Sequence, residues 1–187
     1  MHISLLALYT SVLEVSQCST VRGVVSSFSA PFCLGCATQN WTLGMIYENA
    51  VKYILQFADF ERSSKNRRDE DGFALDRITS LLDRMGTPQA TRTTVHVAGS
   101  KGKGSTAAII ESILRAAGMR TGLFTSPHID KFSERIRLGG QPLSESVFAG
   151  TVEAIKPIIE IELKARPGRL SVFEILTAMA FHAFQQA

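Results

Sequence analysis

The stretch Thr94-Val95-His96-Val97-Ala98-Gly99-Ser100-Lys101-Gly102-Lys103-Gly104-Ser105-Thr106 constrains the fold more than any other part of the chain. Its first half alternates β-branched residues, the pattern of a strand. Three glycines and two lysines follow between Gly99 and Gly104. From Thr106 to Leu114 apolar side chains recur three and four apart, the spacing of a helix. An isolated Gly/Lys cluster reads as a surface turn. Placed between a strand and a helix, it predicts a phosphate-binding loop in a layered α/β domain.

The residue types suit that chemistry. Glycines let the backbone bend until several N–H groups face one anion. The first turn of the following helix adds about half a positive charge. Lys103 would reach the β- and γ-phosphates of a nucleotide, and a hydroxyl would help to hold Mg²⁺. The strict phosphate-loop pattern is not met: Val97 stands where the first glycine belongs, Gly104 follows Lys103, and Ser105 comes one place late.

Those departures match another pattern. Gly-x-x-Gly-Lys-Gly-Ser directly after His96-Val97-Ala98 resembles the ATP loop of the folylpolyglutamate synthase and dihydrofolate synthase family, within the Mur-ligase superfamily. That family usually has Thr-Asn where this chain has Ser100-Lys101. A second block, Thr121 to Ile129 followed by Phe132-Ser133-Glu134-Arg135-Ile136-Arg137, is similar to its "TSPH…F.ERI" signature. A third, Phe173 to Phe181, resembles its "FE..T..AF" helix, and Tyr47 to Ile54 looks like its opening helix. The resemblance spans roughly residues 45–187.

The resemblance implies an ADP-forming acid–amino-acid ligase with ATP and Mg²⁺ as cofactors. The substrates would be L-glutamate and a folate or dihydropteroate carboxylate, activated as an acyl phosphate. The ATP-binding set would be Gly99, Ser100, Lys101, Gly102, Lys103, Gly104, Ser105 and Thr106, with Lys103 the catalytic cation. Ser126 matches a magnesium ligand. Pro127, His128, Phe132, Glu134, Arg135 and Glu174 are the substrate-binding candidates. The family continues past the end of its matching helix with a strand carrying an acidic magnesium ligand, then a histidine ligand, a lysine and a second domain. The 187-residue chain is therefore expected to be the N-terminal part of an ATP-binding domain. A Mur-type cell-wall ligase, a small kinase and an inactive nucleotide-binding remnant are the alternatives.

The expected fold is an incomplete three-layer α/β/α nucleotide-binding domain with a mostly parallel sheet, occupying 45–187. Helices are expected over 45–60 and 73–85, the second stopped by Gly86 and Pro88. The helix after the phosphate loop should end near Ala117, capped by Gly118, and residues 120–125 should form a strand parallel to the first. Then Ser126 and the phosphate loop would open on the same carboxyl edge of the sheet, where ligands bind in doubly wound folds. A hairpin-like turn is expected over 136–143. Ser144 is the expected N-cap of a helix that Pro157 should kink or split. Ser171 and Glu174 form a capping-box pattern, which gives Glu174 a structural role as an alternative to ligand contact.

Residues 1–44 differ in composition: one acid (Glu14), one strong base (Arg22) and all three cysteines, Cys18, Cys33 and Cys36. Three readings stay open for this leader: upstream sequence before a true start at Met45, a targeting segment, or a real extension. Cys33-Leu34-Gly35-Cys36 has the C-x-x-C spacing of a metal or redox pair, but no second pair accompanies it. A net charge of +3 is too small to argue for nucleic acid, and acids 69–71 follow the cluster Arg62, Lys65, Arg67, Arg68. The uncharged run from Gly23 to Tyr47 is too broken by polar residues for a membrane span. The expectation is a cytoplasmic monomer acting on small molecules, without nucleic-acid or membrane partners.

Overall fold

The computed structural model describes residues 11–16, 44–57, 75–91, 93–166 and 170–187. The three cysteines, with the C-x-x-C spacing, and the polar stretch 61–71 lie outside the described residues. The elements in chain order are β1 (Ser11–Ser16), α1 (Tyr47–Ile54), α2 (Asp76–Arg84), β2 (Thr93–Val97), α3 (Lys103–Ala116), β3 (Arg120–Phe124), β4 (Ile136–Leu138), β5 (Gln141–Pro142), α4 (Glu145–Ala165) and α5 (Val172–Gln186).

The five strands form one sheet in the order β2-β1-β3-β4-β5. Every described pairing is antiparallel, which corrects the expected mostly parallel sheet. The expected parallel contact of β2 with β3 is replaced because β1, from the compositionally distinct leader, lies between them. Because β1 is antiparallel to both neighbours, β2 and β3 run in the same direction, as expected, but they do not touch edge to edge. Val12 pairs with His96 on one side and Phe124 on the other, so the ends of β2 and β3 are level.

Alternation along β3 sets the layers. A Cβ on Gly122 would meet the Phe184 ring of α5 at 2.4 Å. Its neighbour Leu123 packs instead with Ala107 of α3. Successive residues of a strand face opposite sides, so α3 and α5 cover opposite faces of the sheet at β3. Helices thus lie on both faces of the sheet at β3, as in an α/β fold.

The main core lies on the α5 side. Phe148, Val152, Ile155 and Ile159 of α4 join Ile175, Leu176 and Met179 of α5, together with Ile54 of α1 and Leu81 of α2. Tyr47 meets Phe148 edge-on, ring centroids 5.3 Å apart. A buried carboxylate, Glu162 of α4, accepts hydrogen bonds from Ser80 Oγ and Arg84 Nε of α2, both at 2.8 Å. Both bonds go to Oε2; Oε1 is buried without a hydrogen bond and lies 3.7 Å from Arg166 Nε, so Arg84 and Arg166 offset the buried charge.

Several element ends differ from expectation. α1 is helical only to Ile54, with turn structure to Phe57; residues 58–60 lie outside the described residues. α2 runs over Asp76–Arg84; its expected start at Phe73 lies outside the described residues. α4 passes through Pro157 as one helix of 21 residues, with Ile155 and Ile159 fully buried on either side of it. Packing of that face outweighs the loss of one backbone donor. Among the described residues no helix is long and apolar enough to cross a membrane.

Candidate nucleotide site at the sheet edge

α3 begins three residues earlier than its apolar spacing suggested, at Lys103. Gly102 precedes it as N-cap with φ 75°, ψ 0°, a left-handed conformation suited to glycine. Thr106 N–H donates to Gly102 O at 2.9 Å and is the first amide inside the helix. The amides of Lys103, Gly104 and Ser105 therefore have no intrahelical acceptor. They project from the positive end of a 14-residue helix. The loop from Gly99 to Lys101 is exposed, and Lys103 and Gly104 are partly covered.

Lys103 is folded back over this loop. Its Nζ donates to Gly99 O at 2.7 Å and to Ser100 O at 3.4 Å. The ammonium group thus already sits beside the amides that an anion would occupy. No acid occurs between Thr93 and Ile110. The nearest in sequence, Glu111, is buried and engaged by Thr121 Oγ1 at 2.6 Å and Arg115 Nε at 3.1 Å. Locally the loop is cationic.

The second signature block follows β3. Since β2 and β3 point the same way and end level, the phosphate loop and Ser126 emerge on one edge. The single strand β1 separates them, a lateral distance of about 10 Å. Ser126 Oγ is buried and makes no hydrogen bond in the structure. The Ser126–Pro127 peptide is cis. Thr125 N–H donates to Arg135 O at 2.9 Å and closes the loop at its base.

Inside this loop three of the candidates, His128, Phe132 and Arg135, touch one another. Arg135, buried, donates from Nε to His128 Nδ1 at 2.8 Å. The His128 ring lies 4.2 Å from the Phe132 ring, and the Arg135 guanidinium lies over Phe132 at 5.4 Å. The Glu134 carboxylate accepts the backbone N–H of Lys131 at 3.0 Å and of Ile129 at 3.1 Å. The Lys131 amide, followed by that of Ile129, holds the Glu134 carboxyl below its ordinary range. The loop tip carries Ile129, 98% exposed.

Glu174 is differently engaged. It is the third residue of α5 and accepts from Ser171 N at 2.8 Å and Ser171 Oγ at 2.7 Å, while Ser171 Oγ accepts Glu174 N–H at 3.2 Å. Arg77 of α2 lies 3.5 Å from its other oxygen. The reciprocal cap is therefore present, tied across to α2. Sequence reasoning gave no sign of that Arg77 contact, which depends on how separate backbone segments meet, nor of the tethers from Glu134 and Arg135, which depend on the path of one loop.

Magnesium fits these residues only in part. Ser126 supplies a buried, unused hydroxyl oxygen, the kind of ligand a hard cation takes. Among the described residues, no three His, Cys, Asp or Glu side chains group as a metal would need.

No family model matches the chain. The dihydrofolate synthase/folylpolyglutamate synthase of Bacillus subtilis is 42% identical over 112 residues, covering 60% of this chain and 26% of that protein. The solved apo folylpolyglutamate synthase of Lactobacillus casei superposes with a TM-score of 0.62 at 30% identity, covering 76% of this chain and 33% of the other. A complex of folylpolyglutamate synthase with AMPPCP and folate superposes with a TM-score of 0.61 at 29% identity, again over 76% of this chain and 33% of the other. The chain thus spans about a quarter of the curated relative and a third of the solved chains.

Proposed function

Since the chain belongs to the folylpolyglutamate synthase and dihydrofolate synthase family over the stretch these relatives match, we propose that its loop at 99–106 binds ATP for an amide-forming ligation. The acceptor is a folate or dihydropteroate carboxylate, and the amine donor is L-glutamate. The observation that carries this reading is the geometry of the loop. Gly102 turns the chain so that three helix-opening amides and the Lys103 ammonium share one face.

Ligation of this type begins when the acceptor carboxylate attacks the γ-phosphorus of ATP. An acyl phosphate forms and ADP leaves. The amine of glutamate then adds to the acyl carbon, loses a proton and expels phosphate, leaving an amide. Both partners of the first step are anions, so the protein's task is to offset charge and align the reacting atoms. The amides of Lys103, Gly104 and Ser105 and the Lys103 ammonium serve the triphosphate. Gly99, Ser100 and Lys101 form its outer wall, and Thr106 closes the first helical turn.

The loop at 126–135 borders the acceptor. Pro127, His128 and Phe132 offer it a ring-lined edge, and Arg135 fixes His128 by its Nδ1. Glu134 holds the loop's backbone by its amides. Glu174 contributes through the start of α5, which packs against β3. Magnesium, when bound, would take Ser126 as one ligand and supply further positive charge to the phosphates. Monomeric, cytoplasmic action on small molecules completes the proposal.

Binding of AMPPCP to the 187-residue chain, followed calorimetrically, tests the reading. Lys103→Ala should weaken binding by roughly a hundredfold, on the order of 3 kcal/mol, while the circular dichroism of the fold stays unchanged. Equal affinity in the two proteins would remove Lys103 and the loop from the mechanism. ADP release with pteroate or folate plus glutamate, compared with UDP-sugar acceptors, separates this ligase class from the cell-wall type.

A further inference from the structure

We propose that Arg135 holds His128 as a neutral ring with its proton on Nε2, which makes His128 a hydrogen-bond donor to the acceptor's oxygens and not a base toward the amine. The proposal rests on the reading above, in which the loop at 126–135 borders the acceptor. It gives one ring a protonation state and one guanidinium a positioning role.

The geometry leaves a single arrangement. Arg135 is 4% exposed, and its Nε lies 2.8 Å from His128 Nδ1. A guanidinium keeps its charge and carries donors only. At that distance Nδ1 accepts with its lone pair and carries no proton. A flipped ring would set a C–H against the guanidinium N–H. A protonated ring would set one N–H against another. Neither tolerates a hydrogen-bond distance. The ring proton is then on Nε2, on the side away from Arg135.

Further contacts hold the ring in place. Its face lies against Phe132, centroids 4.2 Å apart, and the same Phe132 ring carries the Arg135 guanidinium at 5.4 Å. Glu134, the loop carboxylate whose charge acts on His128, turns its oxygens to the amides of Ile129 and Lys131. His128 itself is half-buried between exposed Pro127 and Ile129, at the loop's outer edge. In the ligation the acceptor brings a carboxylate, and its acyl oxygen gains negative charge as the amine adds. An Nε2–H serves oxygens of that kind. With Nδ1 engaged by Arg135, the ring has no lone pair left for the proton that the amine sheds.

The experiment uses the 187-residue chain. Long-range proton–nitrogen NMR reads the His128 ring at neutral pH, and calorimetry measures folate affinity. The unmodified chain should show the Nε2–H pattern, and Arg135→Met should bring in the Nδ1–H form. His128→Gln places an N–H donor where Nε2 stands, whereas His128→Asn keeps an acceptor for Arg135 where Nδ1 stands. The donor role predicts that His128→Gln binds folate about fivefold more tightly than His128→Asn. A role confined to supporting Arg135 predicts the reverse order. The proposal is overturned by an Nδ1–H or imidazolium pattern in the unmodified chain, by a folded Arg135→Met chain with the pattern unchanged, or by His128→Asn binding at least as tightly as His128→Gln. If the ring shows Nε2–H and folate fails to bind the unmodified chain, the acceptor reading of the loop falls, and the donor role with it.

Discussion

The helices α4 and α3 are built from similar raw material and end up in opposite circumstances. α4 buries Phe148, Ala149, Val152, Ile155 and Ile159 within a core that also draws on α1, α2 and α5. α3 buries only Ala107 and Glu111, and leaves Ile109 and Ile113 61% and 63% exposed. β2, which feeds α3 its loop, is likewise exposed at Thr93, Thr94 and His96. Stability is concentrated on the α5 side of the sheet and the candidate nucleotide loop lies on the α3 side. A loop that must admit a ligand is held mainly by backbone geometry and one lysine, with little apolar burial beneath it. The difference teaches that damage to the scaffold and damage to the site should be separable.

The sharpest way to break that contrast is to cut into each helix. Phe148→Ala removes a fully buried ring and should cost about 3–5 kcal/mol. Ile113→Ala, on the exposed face of α3, should change stability by no more than about 0.5 kcal/mol. Urea unfolding measures both. Comparable losses would mean that the Ile113 face is covered in solution and that the two sides are equally packed.

A smaller effect is expected where the two sides meet. Gly122 of β3 lies under the Phe184 ring, and an added Cβ would stand 2.4 Å from it. The flexible part of this contact is the ring itself, so Gly122→Ala should cost about 1–3 kcal/mol as Phe184 is displaced. Thermal unfolding checks the size. AMPPCP affinity should stay within about twofold, because Gly122 faces away from α3. An affinity loss that exceeds the stability loss would show the layers to be coupled through β3.

How much of this could be read beforehand depended on the range of each signal. Capping at Ser144 and Ser171 was legible because an N-cap and its acceptor lie three residues apart. Gly86 and Gly118, both left-handed, ended their helices as expected. The strand over 120–124 and the hairpin at 136–142 were also visible. Long-range facts were not. Ser11–Ser16 alternates, but nothing in it says that its partners are residues 93–97 and 120–124, so the antiparallel strand between β2 and β3 was missed. The continuity of α4 through Pro157 was hidden because tertiary packing, absent from any local window, decides it. At the site, residue types were legible from motif and spacing. Which of them touch was not: the Arg77–Glu174 pair needed two helices to be placed, and the Arg135–His128 bond needed the path of the loop between them.

The mildest test concerns the one site loop whose order has a visible electrostatic cause. Glu134 accepts the amides of Ile129 and Lys131, and these bonds lower its carboxyl below the ordinary 4.5. A depressed folded value means that the tether's contribution is fully present above 4.5. It is lost as pH falls through the lower, folded value. The amide shifts of Ile129 and Lys131, followed by NMR, should therefore stay constant at neutral pH and move together with a midpoint below 4.5. Glu134→Gln keeps an acceptor oxygen but no titrating charge, so its shifts should not move over that range. Global stability should barely respond in either protein, since the core on the α5 side contains none of these groups. If acid instead unfolded the whole chain at the same midpoint, the loop would be part of the scaffold, and the separation of stable layer from working edge would fail at its weakest point.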